Sequence, residues 1–368
     1  MLKREILSLT GLRGVAAFMV ILYHFGQPTT EFGIPREFHV PKGYVAVDTF
    51  FMLSGFVLSF NYANLFRSGM APGVYADFLV KRVARVYPAY LGVGVLYLAR
   101  LLFNLSGDRA IDSFTWYDGI ANLFCATGWG LSVKPLIQDS WSVSAEILCY
   151  FMFPLLAAIV FSNRWISAAL SALVALTGFF LIERSGIGAK GWLDAVASDS
   201  FYPLVRAFSG FTLGMVIFAI FALSNKTLSK FSDAITALSV AALLASCIVG
   251  NDWLIVFCIF FLVLGLSFDG AIAKALFANR LTMFLGRISY SLYLVHVILI
   301  SVAVRLSLKL RFLMSNDGEL YWVALTAFVI LCLIVATASY EIFEKRGRKA
   351  FLSMYAYVNR ESIKAQTN

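Results

Sequence analysis

About ten apolar runs, each long enough to cross a lipid bilayer, set the limits on what this chain can become. A helix needs roughly 17–25 residues to traverse the hydrocarbon core. Inside that core the backbone must pair its own N–H and C=O groups, as a helix does. Such runs fall at approximately 9–26, 43–62, 86–104, 142–161, 165–182, 204–223, 234–250, 253–268, 284–304 and 321–339, with 165–182, 234–250 and 253–268 at the short end. Composition agrees. Of 368 residues, 60% are hydrophobic and 14% charged, and mean hydropathy is +0.80, whereas a soluble domain carries about 25% charged residues. The expectation is an all-α integral membrane protein with about ten transmembrane helices in one bundle. The more polar segment 114–131, with Trp116 and Trp129, reads as an interfacial or re-entrant piece of a long loop.

Lysine and arginine set the orientation. With the N-terminus in the cytoplasm, the inner segments hold 18 of these residues and the outer loops 9, although Arg305, Lys309 and Arg311 fall outside. Both termini are therefore expected in the cytoplasm. No A-x-A-like cleavage site accompanies the first run, which reads as a retained helix. Neither a long Pro/Ser/Gly-rich linker nor an internal repeat is visible. Residues 1–345 are expected to form one membrane domain, and 346–368 a short basic cytoplasmic tail. A net charge of +9 would point to nucleic acid in a soluble protein; here the cytoplasmic loops account for it, and the expected partner is the bilayer. The five cysteines form no C-x-x-C pair and four lie in apolar spans, which supports neither a disulfide framework nor a metal site.

Ionisable residues inside spans are costly to keep there and are functional candidates. In the first run, Arg13 and His24 are eleven residues apart. At 100° per residue this leaves about 20° after three turns, so both point to one side of a helix, roughly 16 Å apart along it. A lone histidine on an apolar face is as often a satisfied core residue; an arginine on the same stripe favours a polar groove inside the bundle. Asp48 stands near the outer end of the second run, where it could pair with His24 and fix its tautomer. Lys81, Arg82 and Arg85 read either as membrane anchors or as a phosphate clamp for an anionic cofactor.

Entering the fourth run, Ser142, Glu146 and Tyr150 recur every four residues on one face, with Trp141 as an interfacial belt residue. Ser289, Tyr293 and His296 form a polar stripe on the ninth, which interhelical hydrogen bonds alone could explain. Arg206 lies at the outer end of the sixth, where it could snorkel. Ser54-Gly55 reads as a close helix contact, and His39 sits in an outer loop with no evident partner.

Taken together these motifs resemble the acyltransferase 3 family of membrane acyltransferases. The resemblance rests on Leu12-Arg13-Gly14 through Tyr23-His24, Asp48 with Phe51-Met52-Leu53-Ser54-Gly55-Phe56, and Lys81-Arg82-Val83-Ala84-Arg85. It continues through Trp141-Ser142 with Glu146, Arg206 before Phe211 and Gly214, and Ile288-Ser289-Tyr290 through His296, spanning about residues 7–345. Glu344-Lys345-Arg346 lacks the proline with which the family often ends its last helix, which leaves the helix stop open.

The resemblance implies transfer of an acyl group, usually acetyl, from cytosolic acyl-CoA to a hydroxyl of a carbohydrate acceptor. That acceptor would be a cell-surface polysaccharide or its lipid-linked precursor, at a bacterial inner membrane. On this reading His24 is the general base, oriented by Asp48 or Glu146. Arg13, Lys81, Arg82 and Arg85 hold the donor, with no metal required. Trp141, Ser142, Tyr150, Arg206, Ser289, Tyr293 and His296 are further candidates. The rival is a transporter or flippase of a glycan precursor, which also places ionisable residues at mid-membrane depth.

Overall fold

The structure, a computed structural model, describes residues 5–26, 40, 42–67, 72–102, 114–188, 190–196, 199–314 and 316–367. His39 lies outside them. Among the described residues there are thirteen α-helices and no strand. In chain order they begin with α1 (Leu7–Phe25), α2 (Ala46–Arg67), α3 (Pro72–Leu102) and the short α4 (Trp116–Leu123). Then follow α5 (Trp141–Val160), α6 (Arg164–Ser185), α7 (Tyr202–Leu228), α8 (Ser232–Val249) and α9 (Asp252–Leu266). The last four are α10 (Ala271–Phe277), α11 (Arg280–Lys309), α12 (Asp317–Ser339) and α13 (Arg348–Thr367).

Local chemistry explains many of the boundaries. The Asn279 carboxamide accepts from the N–H groups of Leu281 and Thr282 at the start of α11, and Asn316 does the same for Glu319 in α12. At the other end, α6 and α8 stop where Gly186 and Gly250 adopt left-handed backbone with φ of 66° and 76°.

Each expected span coincides with a helix. By length and apolarity alone, eight of the described helices can cross a membrane, or nine if α9 and α10, bent by 111° at their break, form one span. The helix of the expected third span, α3, is 31 residues long but falls outside that set, since Lys81, Arg82, Arg85 and Arg100 dilute its apolar character. Leu173 and Val174 on α6 and Leu244 and Ile248 on α8 are exposed, an apolar outer face suited to lipid. All five cysteines are free.

Two tightly apposed helix pairs carry Arg13, His24 and His296, and Asp48 and Arg206. A Cβ at Gly14 would run into the backbone of Leu285 and Gly286, and one at Gly55 into the carbonyl of Phe211. The α1–α11 and α2–α7 backbones therefore touch where no side chain intervenes, as small residues allow in membrane helix packing. Gly14 meets Gly286 and His24 meets His296, each ten residues further on, so α1 and α11 run side by side in the same direction. Gly210 against Phe51 and Gly214 against Met52 and Phe56 show the same parallel sense for α2 and α7. Ser291 bonds Ser339 while Phe25 stacks on Phe328, so α12 runs back antiparallel to α11.

The chain does not stop after α12. A π-helical stretch, Tyr340–Gly347, leads directly into α13, so helix continues across residue 345 where a tail was expected to begin. Without a proline after Glu344-Lys345, nothing blocks continuation. The wide turn brings Glu344 back to α11, where its Oε1 accepts from the Ser291 N–H at 2.9 Å and the Ser291 hydroxyl at 2.6 Å.

Candidate active site

Between α1, α2, α3, α5, α11 and the π-helical stretch lies a cavity of about 370 Å³. Arg13, Arg82, Arg85, Glu146, Tyr150 and Glu344 bring charge and polarity to its wall. Arg13 donates from Nη2 to the Gly286 carbonyl at 2.8 Å, and Arg82 donates to the Tyr62 hydroxyl at 3.0 Å with its guanidinium 5.1 Å from the Tyr62 ring centre. In both arginines Nε is buried without a hydrogen-bond partner. With Arg85 the two guanidinium groups bring positive charge to the cavity wall, which suits an anionic occupant.

Lys81 departs from the expected clamp: it is exposed and does not line the cavity. Around the helix Arg85 lies between Lys81 and Arg82, and Lys81 sits roughly 100° from Arg82, at the edge of the arc that faces inward. Glu146 accepts a hydrogen bond from the Tyr150 hydroxyl at 2.6 Å, so the expected four-residue spacing does place them together. Neither touches His24.

The partner of His24 is a residue that sequence reasoning did not single out. Asp139, in the turn just before α5, has Oδ2 3.6 Å from His24 Nε2 and 3.2 Å from His296 Nε2. His24 Nδ1 lies 3.0 Å from the Val20 carbonyl and 3.2 Å from His296 Nε2. His296 Nδ1 lies 2.6 Å from the Tyr293 carbonyl. Burial pushes the Asp139 carboxyl up, but the two imidazoles more than offset this and hold it at about 2. The only sequence signal for Asp139 was its place two residues ahead of Trp141-Ser142.

Asp48, expected beside His24, belongs to another partner. Its carboxylate forms a bidentate pair with Arg206, Nε to Oδ1 at 3.1 Å and Nη2 to Oδ2 at 2.7 Å, with both side chains fully buried. Arg206 also donates to the Tyr44 carbonyl and lies 5.3 Å from the Trp141 ring centre. Arg206 therefore does not snorkel, and Trp141 is buried beneath it rather than serving as an exposed belt residue. The reason is the parallel contact of α2 and α7, which brings Asp48 and Arg206 level with each other.

Tyr293 links the two halves. It lines the cavity, its hydroxyl bonds Ser142 at 2.6 Å and donates to the Asp139 carbonyl at 2.9 Å, and its ring lies against His296. Ser289 spends its hydroxyl on the Gly286 carbonyl, one turn back in α11. Arg13, Ser142 and Tyr293 thus stand in the cavity wall, and His24 is not among the residues that line it.

Comparison with known proteins bears on this arrangement. The sequence profile of a family described as an acyltransferase domain matches residues 6–341. The chain belongs to the acyltransferase 3 family. Among curated relatives, it is 22% identical over 380 residues to a Staphylococcus aureus (strain COL) protein named "Putative O-acetyltransferase", covering 94% of this chain and 58% of that protein. The acyltransferase MdmB of Streptomyces mycarofaciens is 29% identical over 226 residues, 57% of this chain and 56% of its own length. The exopolysaccharide production protein ExoZ of Rhizobium meliloti (strain 1021) is 27% identical over 353 residues, 89% of this chain and 96% of its own length. The acyltransferase 3 chain thus spans 58% of the staphylococcal relative's length. No solved structure matches it.

Proposed function

We propose that this chain transfers an acyl group, usually acetyl, from acyl-CoA on the cytoplasmic side of a bacterial inner membrane to a hydroxyl of a carbohydrate. The acceptor in this reading is a cell-surface polysaccharide or its lipid-linked precursor. The observation that carries it is the two-ended polar interior. Guanidinium groups line a cavity at one end, and an imidazole beside a carboxylate stands about three helical turns away at the other. Family membership and the name of the exopolysaccharide relative support the same reading.

The donor's phosphates lie against Arg82 and Arg85, with Arg13 further in, and the pantetheine arm reaches toward Tyr293. The acceptor hydroxyl gives its proton to His24 Nε2 as its oxygen attacks the thioester carbon. The carbon–sulfur bond then breaks, and the departing thiolate takes the proton from the imidazolium. Asp139, rather than Asp48 or Glu146, steadies the charged imidazole. Glu146 and Tyr150 shape the donor cavity, and the Ser142–Tyr293 pair must part for the thioester to reach His24.

The test is turnover of acetyl-CoA with glycan acceptors by the purified protein, followed as free thiol and acylated product. His24→Ala is expected to lose about 10²–10⁴-fold with helix content unchanged. Equal turnover in that variant would remove His24 from the chemistry. Arg82→Ala and Arg85→Ala are each expected to raise the apparent KM for acetyl-CoA about tenfold, the loss of one charged contact, and to leave that for the acceptor alone. An unchanged donor KM returns both residues to membrane anchoring.

A further inference from the structure

The same imidazole–carboxylate cluster has the geometry of a ligand set. His24 Nε2, His296 Nε2 and Asp139 Oδ2 come from the end of α1, the middle of α11 and the turn before α5, and all lie within 4.8 Å of one another. Two of the separations are 3.6 and 3.2 Å. Donors at zinc–ligand distances of about 2.0–2.1 Å in a tetrahedron stand about 3.3 Å apart, so both histidine–carboxylate separations are already close to those of a bound ion.

Proton placement points the same way. A carbonyl oxygen can only accept, so His296 Nδ1, 2.6 Å from the Tyr293 carbonyl, carries a hydrogen, and so does His24 Nδ1 against Val20. The Nε2 atoms of both rings then face Asp139 Oδ2, a buried oxygen with no hydrogen-bond partner. His24 Nδ1 also reaches His296 Nε2 at 3.2 Å, a contact that ligation would replace. Two imidazole nitrogens and a carboxylate oxygen turned toward one point are a donor set for a cation placed among them. The carbonyls already hold the far ring nitrogens, the outer-shell arrangement that orients metal-binding histidines. His24 is accessible, its side chain 26% exposed.

We propose that His24, His296 and Asp139 bind a borderline divalent cation of the zinc type, and that the bound ion silences acyl transfer. The silencing rests on the function proposed above, because ligation occupies the lone pair that would take the acceptor's proton. The binding does not rest on it. Two histidines and one carboxylate suit zinc over magnesium or calcium, which favour all-oxygen shells.

The experiment loads the full-length, chelator-stripped protein with ZnSO4, measures bound metal by equilibrium dialysis and elemental analysis, and uses MgCl2 as the control. A visible d–d spectrum with Co²⁺ reports the coordination. Expected are one tight zinc, no retained magnesium and a tetrahedral cobalt band. His24→Gln, His296→Gln and Asp139→Asn should each weaken zinc about 100-fold while keeping helix content and elution volume. Zinc should suppress turnover at least about tenfold, reversed by chelator. Unaltered zinc affinity in the three variants, or no cobalt band in the wild type, overturns the site. If zinc fails to bind while turnover still depends on His24, the metal inference falls and the base assignment stands. If zinc binds but His24→Ala turns over normally, the base assignment falls and the metal site stands. Full activity with zinc bound refutes the silencing.

Discussion

Arg206 and Asp48 show how a residue can be legible while its role is not. Both stand out in the sequence as charges in apolar helices, but a partner 158 positions away cannot be read from spacing. Proximity in the chain favoured His24 for Asp48, whereas packing of α2 on α7 delivered Arg206. A fully buried bidentate pair is held by mutual need: removing one member leaves the other charged and unsolvated. Arg206→Met is expected to destabilise the protein by about 3–5 kcal/mol, and Arg206→Met with Asp48→Leu to recover most of that, because an apolar replacement of both leaves no stranded charge. Thermal unfolding in detergent checks both. A single variant as stable as the wild type would mean that water reaches the pair. Asp139 was missed for the same reason: a carboxylate in a loop is unremarkable until two histidines 272 residues apart converge on it.

At the scale of elements, the sequence announced its long helices well, since apolar length alone dictates them, and Gly55 declared its close contact correctly. The continuation of α12 through the wide turn into α13 was not legible, because it depends on Glu344 finding Ser291. The segment expected to be a re-entrant or interfacial piece contains α4, started by a capping box in which Thr115 and Asp118 bond each other reciprocally. Asp118 also accepts from the Lys134 N–H, tying the two ends of this loop together. Burial pushes the Asp118 carboxyl up, but the Thr115 hydroxyl and the amides of Lys134 and Thr115 outweigh it and hold the group below its usual range. A carboxyl depressed on folding contributes stability that is full above its unfolded value, about 3.9, and is lost as pH falls through the lower folded value. Residues 115–134 are therefore expected to exchange amide hydrogens faster, relative to the bundle, below about pH 4. Asp118→Asn should show that loosening already at pH 7. Protection in the variant equal to the wild type at both pH values would assign the loop's order to packing alone.

For the whole molecule, charge bias and helix direction agree. With α1 parallel to α11 and α12 antiparallel to both, the start of α1 and the end of α12 lie at one end of the bundle, the end that holds Arg82 and Arg85. Reporters fused to the N-terminus and after residue 368 are expected to signal the cytoplasm together. Opposite compartments would reverse the donor's side of entry and with it the order of the reaction. That both termini share a face could be argued from an even number of spans; which helices touch could not. The glycine seam between α1 and α11 has one more implication. Backbone rests on backbone there, so the main chain sets how close the two helices stand, and the two imidazoles adjust to each other only by turning about their own side-chain bonds. Moving one rod along the other would shift every rung of the seam at once.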